Sequence, residues 1–227
     1  ADMVGLQDAG FRSWLRDVLR RDLGGRTVVS THEDRPNNWG THAGVSRIAA
    51  DLYLGDQADL VRAAQVFRGY LGDRSAYAGF RYGDLSWQAD EAHPVGINHI
   101  GVRKLGVNVA GVLPDDQRRC GLFDGLVPCK GNYPYEALQG VLAQAVLLSR
   151  NGYPDVWLWS DQAIGRAYWW LSRVLGQPPT DPVNGSDDRW QAHLANRIYP
   201  VLALPQAAGP HGKGPGGWTD WLTIDPE

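Results

Sequence analysis

Apolar residues return at helical spacing along most of the chain. Over residues 6–23, Phe11, Leu15, Val18, Leu19 and Leu23 share one face and Arg12, Arg16 and Arg20 another, which predicts an amphipathic helix ended by Gly24 and Gly25. From Asn38 to Gly55 the pattern is Ala43, Val45, Ile48, Ala49, Leu52 and Tyr53, rich in small residues that let helices approach closely. Residues 59–71 repeat the design with Leu60, Ala63, Ala64, Val66, Phe67 and Tyr70, and Gly72 closes it. Helices are also predicted over 136–150, over 156–175 (where Trp157, Trp159, Ala163, Ile164, Ala167, Trp169 and Leu171 dominate) and over about 188–198.

Between these runs the pattern fails in three places. Residues 26–37 read as a loop, with Pro36 biasing Arg35 toward an extended backbone. Residues 73–134 hold little periodicity and much Gly, Asp and Pro; a connection of that length in a compact domain usually carries function. The stretch 205–227 is Gly- and Pro-rich and predicts an irregular tail. Amphipathic helices joined by long loops, with few strand-like runs, predict an all-α array in which helix pairs pack side by side. The 227 residues suffice for one domain with one core.

Charge narrows the function classes. A net charge of −3 argues against a nucleic-acid partner, which needs a clustered excess of Lys and Arg. No apolar run approaches the roughly 18 residues that cross a bilayer, so no membrane role is expected, and any leader is expected to have been removed. Ten Trp and nine Tyr against four Phe favour half-buried core positions and sugar-binding clefts alike. Cys120 and Cys129 lie close together without His partners at zinc spacing, which favours one bridge in an oxidising compartment over a metal site.

Two constellations carry candidate chemistry. In Arg35-Pro36-Asn37-Asn38-Trp39-Gly40-Thr41-His42-Ala43 an Asn caps a helix; His42, four residues after Asn38, shares its face, and Trp39 offers a stacking surface. The second begins at Leu113-Pro114-Asp115-Asp116-Gln117-Arg118-Arg119. It passes through the Cys loop to Asn132-Tyr133-Pro134-Tyr135-Glu136-Ala137-Leu138, bringing two anion-binding arginines near two phenols. A capped helix, a solvated charge pair and two core aromatics would account for the same residues.

Together these segments resemble the alginate lyases and related glucuronan lyases built as helical toroids, over about residues 31–150. The resemblance implies an (α/α) toroid or incomplete toroid of antiparallel helix pairs with long active-site loops, shortened at its N-terminus. It also implies a secreted or periplasmic monomer that cleaves a 1,4-linked polyuronate by β-elimination, with no cofactor or metal. In that family an Asn and an Arg hold the substrate carboxylate and a Tyr handles the proton. Matched onto this chain, the catalytic roles fall to Asn38, Arg119 (with Arg118 as alternative) and Tyr135 (with Tyr133 as runner-up). Many of these lyases carry a His directly after the Asn, where this chain has Trp39, so the His role passes to His42 or His99. Asn37, Trp39, Arg35, Arg118, Tyr133 and His99 complete the expected substrate-binding set.

The chemistry needs those residue types on its own terms. The C5 proton beside a carboxylate becomes removable only when the developing enolate is stabilised, which Arg and an Asn amide can do. A Tyr near an Arg cation can take that proton and return it to the leaving O4. Two alternatives stand beside elimination. A glycoside hydrolase would need a carboxylate pair, with Glu33, Asp34, Asp90, Glu91 and Asp116 available. A non-catalytic sugar-binding domain would use Trp39, Trp87 and Trp157. No Gly-x-Ser-x-Gly elbow supports a serine nucleophile.

Overall fold

The computed structural model of the protein describes residues 8–125, 129–184 and 188–207. Among them the chain is all-α apart from one short hairpin. The helices are α1 (Asp8–Arg20), α2 (Val28–Asp34), α3 (Asn38–Leu54), α4 (Gln57–Tyr70), α5 (Pro114–Gln117), α6 (Tyr133–Ser149), α7 (Trp159–Trp169) and α8 (Gln191–Ile198). The hairpin pairs β1 (Arg103–Lys104) with β2 (Val107–Asn108), Arg103 opposite Asn108.

Most predicted helices are present within a few residues of their expected bounds. The expected tail lies outside the described residues from 208 onward. The loop expected over 26–37 contains α2. Its β-branched Val28, Val29 and Thr31 weaken any helical signal, and a reciprocal Thr27–Ser30 capping box offsets them. The long segment 73–134 is irregular as expected, but it holds the hairpin and the single turn of α5.

Helix α6 is the centre of the core. Tyr135, Ala137, Leu138, Val141, Leu142, Ala145 and Leu148 are all buried, and each large aliphatic side chain withdrawn from water contributes about 1.5–3 kcal/mol. Helix α3 packs on it closely. A Cβ on Gly140 would lie 2.6 Å from the Thr41 carbonyl carbon, so only glycine admits that approach. The Gln144 amide Nε2 donates to Thr41 O at 2.9 Å, and Gly44 faces the Gln144 side chain. Residue numbers rise together along the contact, so α3 and α6 run parallel and start at the same end of the molecule. Gly55, at φ +71°, ends α3 and turns the chain back into α4.

Candidate functional site

The shared starting end of α3 and α6 gathers most of the expected polar residues. Asn37 caps α3 by accepting from Trp39 N at 3.1 Å, and its own amide donates to Asp115 Oδ2 at 2.7 Å. The Asn38 backbone N–H donates to Asp116 Oδ1 at 3.0 Å. Two consecutive Asn thus latch onto two consecutive Asp, and this latch holds α5 against the first turn of α3. Asp116 is fully enclosed, and burial lifts its carboxyl well above the usual range, with Asp115 adding to that shift.

Glu136 lies at the middle of the cluster. Its carboxylate accepts from Asn38 Nδ2 at 3.1 Å and from Asn132 Nδ2 at 2.6 Å. The His42 ring Nε2 lies 3.0 Å from the Glu136 carbonyl. That oxygen can only accept, so Nε2 carries the ring proton and Nδ1 keeps the open lone pair. Burial lowers the His42 pKa, which keeps the ring neutral and basic near pH 7.

The arginine pair separates into two roles. Arg118 Nε donates to the buried Asp115 carboxylate at 2.7 Å, and this bond raises the Arg118 pKa. Arg119 is exposed, makes no ion pair among the described residues, and places its guanidinium 4.4 Å from the Tyr133 ring centroid. The arrangement depends on the bridged loop between them. Cys120 and Cys129 form the expected disulfide, Gln117 Nε2 holds Cys129 O at 2.8 Å, and Trp87 Nε1 holds Gly121 O at 2.7 Å.

Four expectations need correction. Tyr135 is not available as proton carrier: it is 0% exposed, its hydroxyl donates to Gln177 O at 2.7 Å, and burial pushes its pKa far above the usual phenol value. Asn37 is a cap and latch rather than a substrate ligand. Arg35 ends α2 through its backbone N–H, and lies near His32, Tyr70 and Phe80, with no bond to Glu136 among the described residues. His99 stands elsewhere, in the fields of Arg166 and Asp161. Trp39, by contrast, is 62% exposed on the first turn of α3, beside the cluster.

Sequence reading missed Glu136 and Asn132 as site residues. The available signal was their spacing, since positions four apart across a helix start face each other. Comparison with family models, curated proteins and solved structures finds no match to this chain.

Proposed function

We propose that the protein is a polysaccharide lyase that cleaves a 1,4-linked polyuronate, alginate or glucuronan, by β-elimination at the shared start of α3 and α6. The observation that carries this reading is the exposed Arg119 guanidinium over the Tyr133 ring, one residue from the Asn132–Glu136–Asn38 bonds. Arg119 meets the substrate carboxylate and offsets the charge that builds on it as the C5 proton leaves. The starts of two parallel helices at the same end add a positive field of the same sign.

Tyr133 takes the role first expected of Tyr135. The Arg119 guanidinium lies over its ring, and its phenol oxygen takes the C5 proton and delivers a proton to O4 as the C4–O4 bond breaks. The Nδ1 lone pair of His42 serves as base where proton and leaving group lie on opposite faces of the ring. Asn38 is buried and spends its Nδ2 on Glu136, so the carboxylate-binding role first expected of it falls to Arg119, and Asn38 holds Glu136 in place. Trp39 supplies the stacking face.

A hydrolytic reading finds less support. Glu136 has no free carboxylate mate in the α5 latch, because Asp115 is bonded to Asn37 and Arg118, and Asp116 is buried and accepts from the Asn38 N–H. The parallel pairing of α3 and α6, with α4 returning antiparallel, suits the inner layer of a toroid, and the disulfide suits an extracellular or periplasmic site of action.

The test is incubation with alginate, glucuronan and neutral glucans, recording ultraviolet absorbance and reducing ends. Elimination raises both signals on a polyuronate and neither on a neutral glucan. Reducing ends without absorbance would replace this reading with hydrolysis.

A further inference from the structure

A second cleft, of about 600 Å³, opens between the segment around Ile100–Ala110, helix α7 and the turn at Tyr199–Leu202. None of its lining residues belongs to the α3–α6 cluster, so it stands or falls apart from the elimination chemistry.

Its wall carries a cation held in an unusual way. The first turn of α7 is left-handed at Ser160, Asp161 and Gln162, with φ of 51°, 55° and 55°. Three consecutive non-glycine residues in that region cost about 1–2 kcal/mol each, and such conformations concentrate where function requires them. Here they aim two carbonyls at one side chain: Arg166 Nη1 donates to Ser160 O at 2.9 Å and to Asp161 O at 2.7 Å, while Nε donates to Asn98 O at 3.1 Å. All three partners are neutral. The Arg166 Nη2 is enclosed and has no hydrogen-bond partner, and no carboxylate bonds to Arg166 among the described residues; the Asp161 carboxylate, on the same cleft wall, acts on it at longer range. Its charge, bonded only to carbonyls, adds a positive field behind the cleft wall.

The rest of the wall presents the surface a ligand would touch. Trp169 is 44% exposed within the lining, and Ile100 and Val201 extend the apolar surface beside it. Exposed Arg103 places a cation on the cleft surface, the exposed Asp161 carboxylate shares the lining, and Asn108 and Gln162 add amides. A flat aromatic face flanked by a cation and amides matches a pyranose ring that carries a carboxylate.

We propose that this cleft is a separate binding site for a carboxylated sugar unit, with Trp169 stacking on the ring and Arg103 meeting the carboxylate. On a polymeric substrate it would hold a second stretch of chain away from the site of cleavage.

The test is calorimetric titration of the full chain, in a Tyr133→Phe and Arg119→Ala background that disables the first site. The ligands are a saturated glucuronate trisaccharide and its carboxyl-reduced counterpart. The acidic trisaccharide is expected to bind, and Trp169→Ala or Arg103→Gln to weaken it by about tenfold or more. Carboxyl reduction should weaken it by a similar factor. Both substituted side chains are exposed, and unchanged melting temperatures would establish that the variants fold. No binding of the acidic ligand, equal binding of the neutral one, or unchanged affinity in both variants would overturn the proposal. Binding that follows these variants in a protein releasing no unsaturated ends would retain this cleft and reject the lyase reading.

Discussion

The hydroxyl of Tyr135 donates to Gln177 O inside the core, whereas Tyr133 stands half-buried under the Arg119 guanidinium. Two substitutions that each remove one oxygen should therefore have opposite effects. Tyr135→Phe leaves Gln177 O unsatisfied and should cost about 1–3 kcal/mol in denaturant unfolding while sparing turnover. Tyr133→Phe should abolish turnover and leave stability within about 0.5 kcal/mol of the parent. The arginines divide in the same way: Arg119→Ala should lower kcat strongly at nearly constant stability. Arg118→Ala abandons the buried Asp115 carboxylate and should cost roughly 1–3 kcal/mol in stability. The segments that gather here were legible, since Asn38, His42, Arg119 and Tyr133 all stand at the shared start of α3 and α6 or on the loop beside it. Which tyrosine is buried was not legible, since it depends on which way α6 turns its faces, set by Tyr168 of α7 and Gln191 of α8 against Tyr135.

Helices α3 and α6 position the cluster through backbone proximity at Gly140. Gly140→Ala would set a methyl group 2.6 Å from the Thr41 carbonyl carbon, forcing the helices apart and parting Asn38 from Glu136. The expected cost is about 1–3 kcal/mol in stability, with a fall in turnover even where the variant is fully folded. Small residues in α3 announced such a contact in the sequence; that its partner would be α6, some ninety residues on, did not follow from periodicity. The disulfide acts at the same scale. Closing a loop between Cys120 and Cys129 contributes about 2–3 kcal/mol in the chain-entropy account, and its reduction should lower the melting temperature and loosen Arg119 from Tyr133 together. Helix α2 escaped the sequence because seven residues hold too few turns for a period to register, and its stability comes from the Thr27–Ser30 box and from contact with α3.

At the scale of the whole molecule, a buried charge cluster joining α2, α3 and α4 sets the response to pH. Arg47 is buried and donates to Asp59 and Glu33, with Arg62 also on Glu33. Burial, with Arg47 adding to it, pushes His32 down from 6.5 to about 3. Burial, with Asp59 adding to it, lifts Asp51 from 3.8 to about 8. Between about 3 and 6.5 the unfolded chain protonates His32 and the folded chain does not, so stability is lost as pH falls. Between 3.8 and about 8 the folded chain keeps a proton on Asp51 that the unfolded chain has released, so stability is lost as pH rises. The two oppose each other in mildly acidic solution, and above pH 6.5 only the Asp51 effect remains. Melting temperature should therefore decline from pH 6.5 to pH 8, by about 1–2 kcal/mol in stability, and Asp51→Asn should flatten that decline. An unchanged slope in the variant would assign it to other groups.

Elimination and hydrolysis break a polyuronate at the same linkage but leave different masses, since only hydrolysis adds water. Mass spectrometry of the oligomers released from glucuronan and alginate is therefore the most direct measurement of the proposed chemistry. The account predicts fragments lighter by one water than the corresponding hydrolysis products, formed by the parent and by Tyr135→Phe and lost in Tyr133→Phe. Fragments carrying the full added water, or unsaturated fragments still formed at the parental rate by Tyr133→Phe, would contradict it.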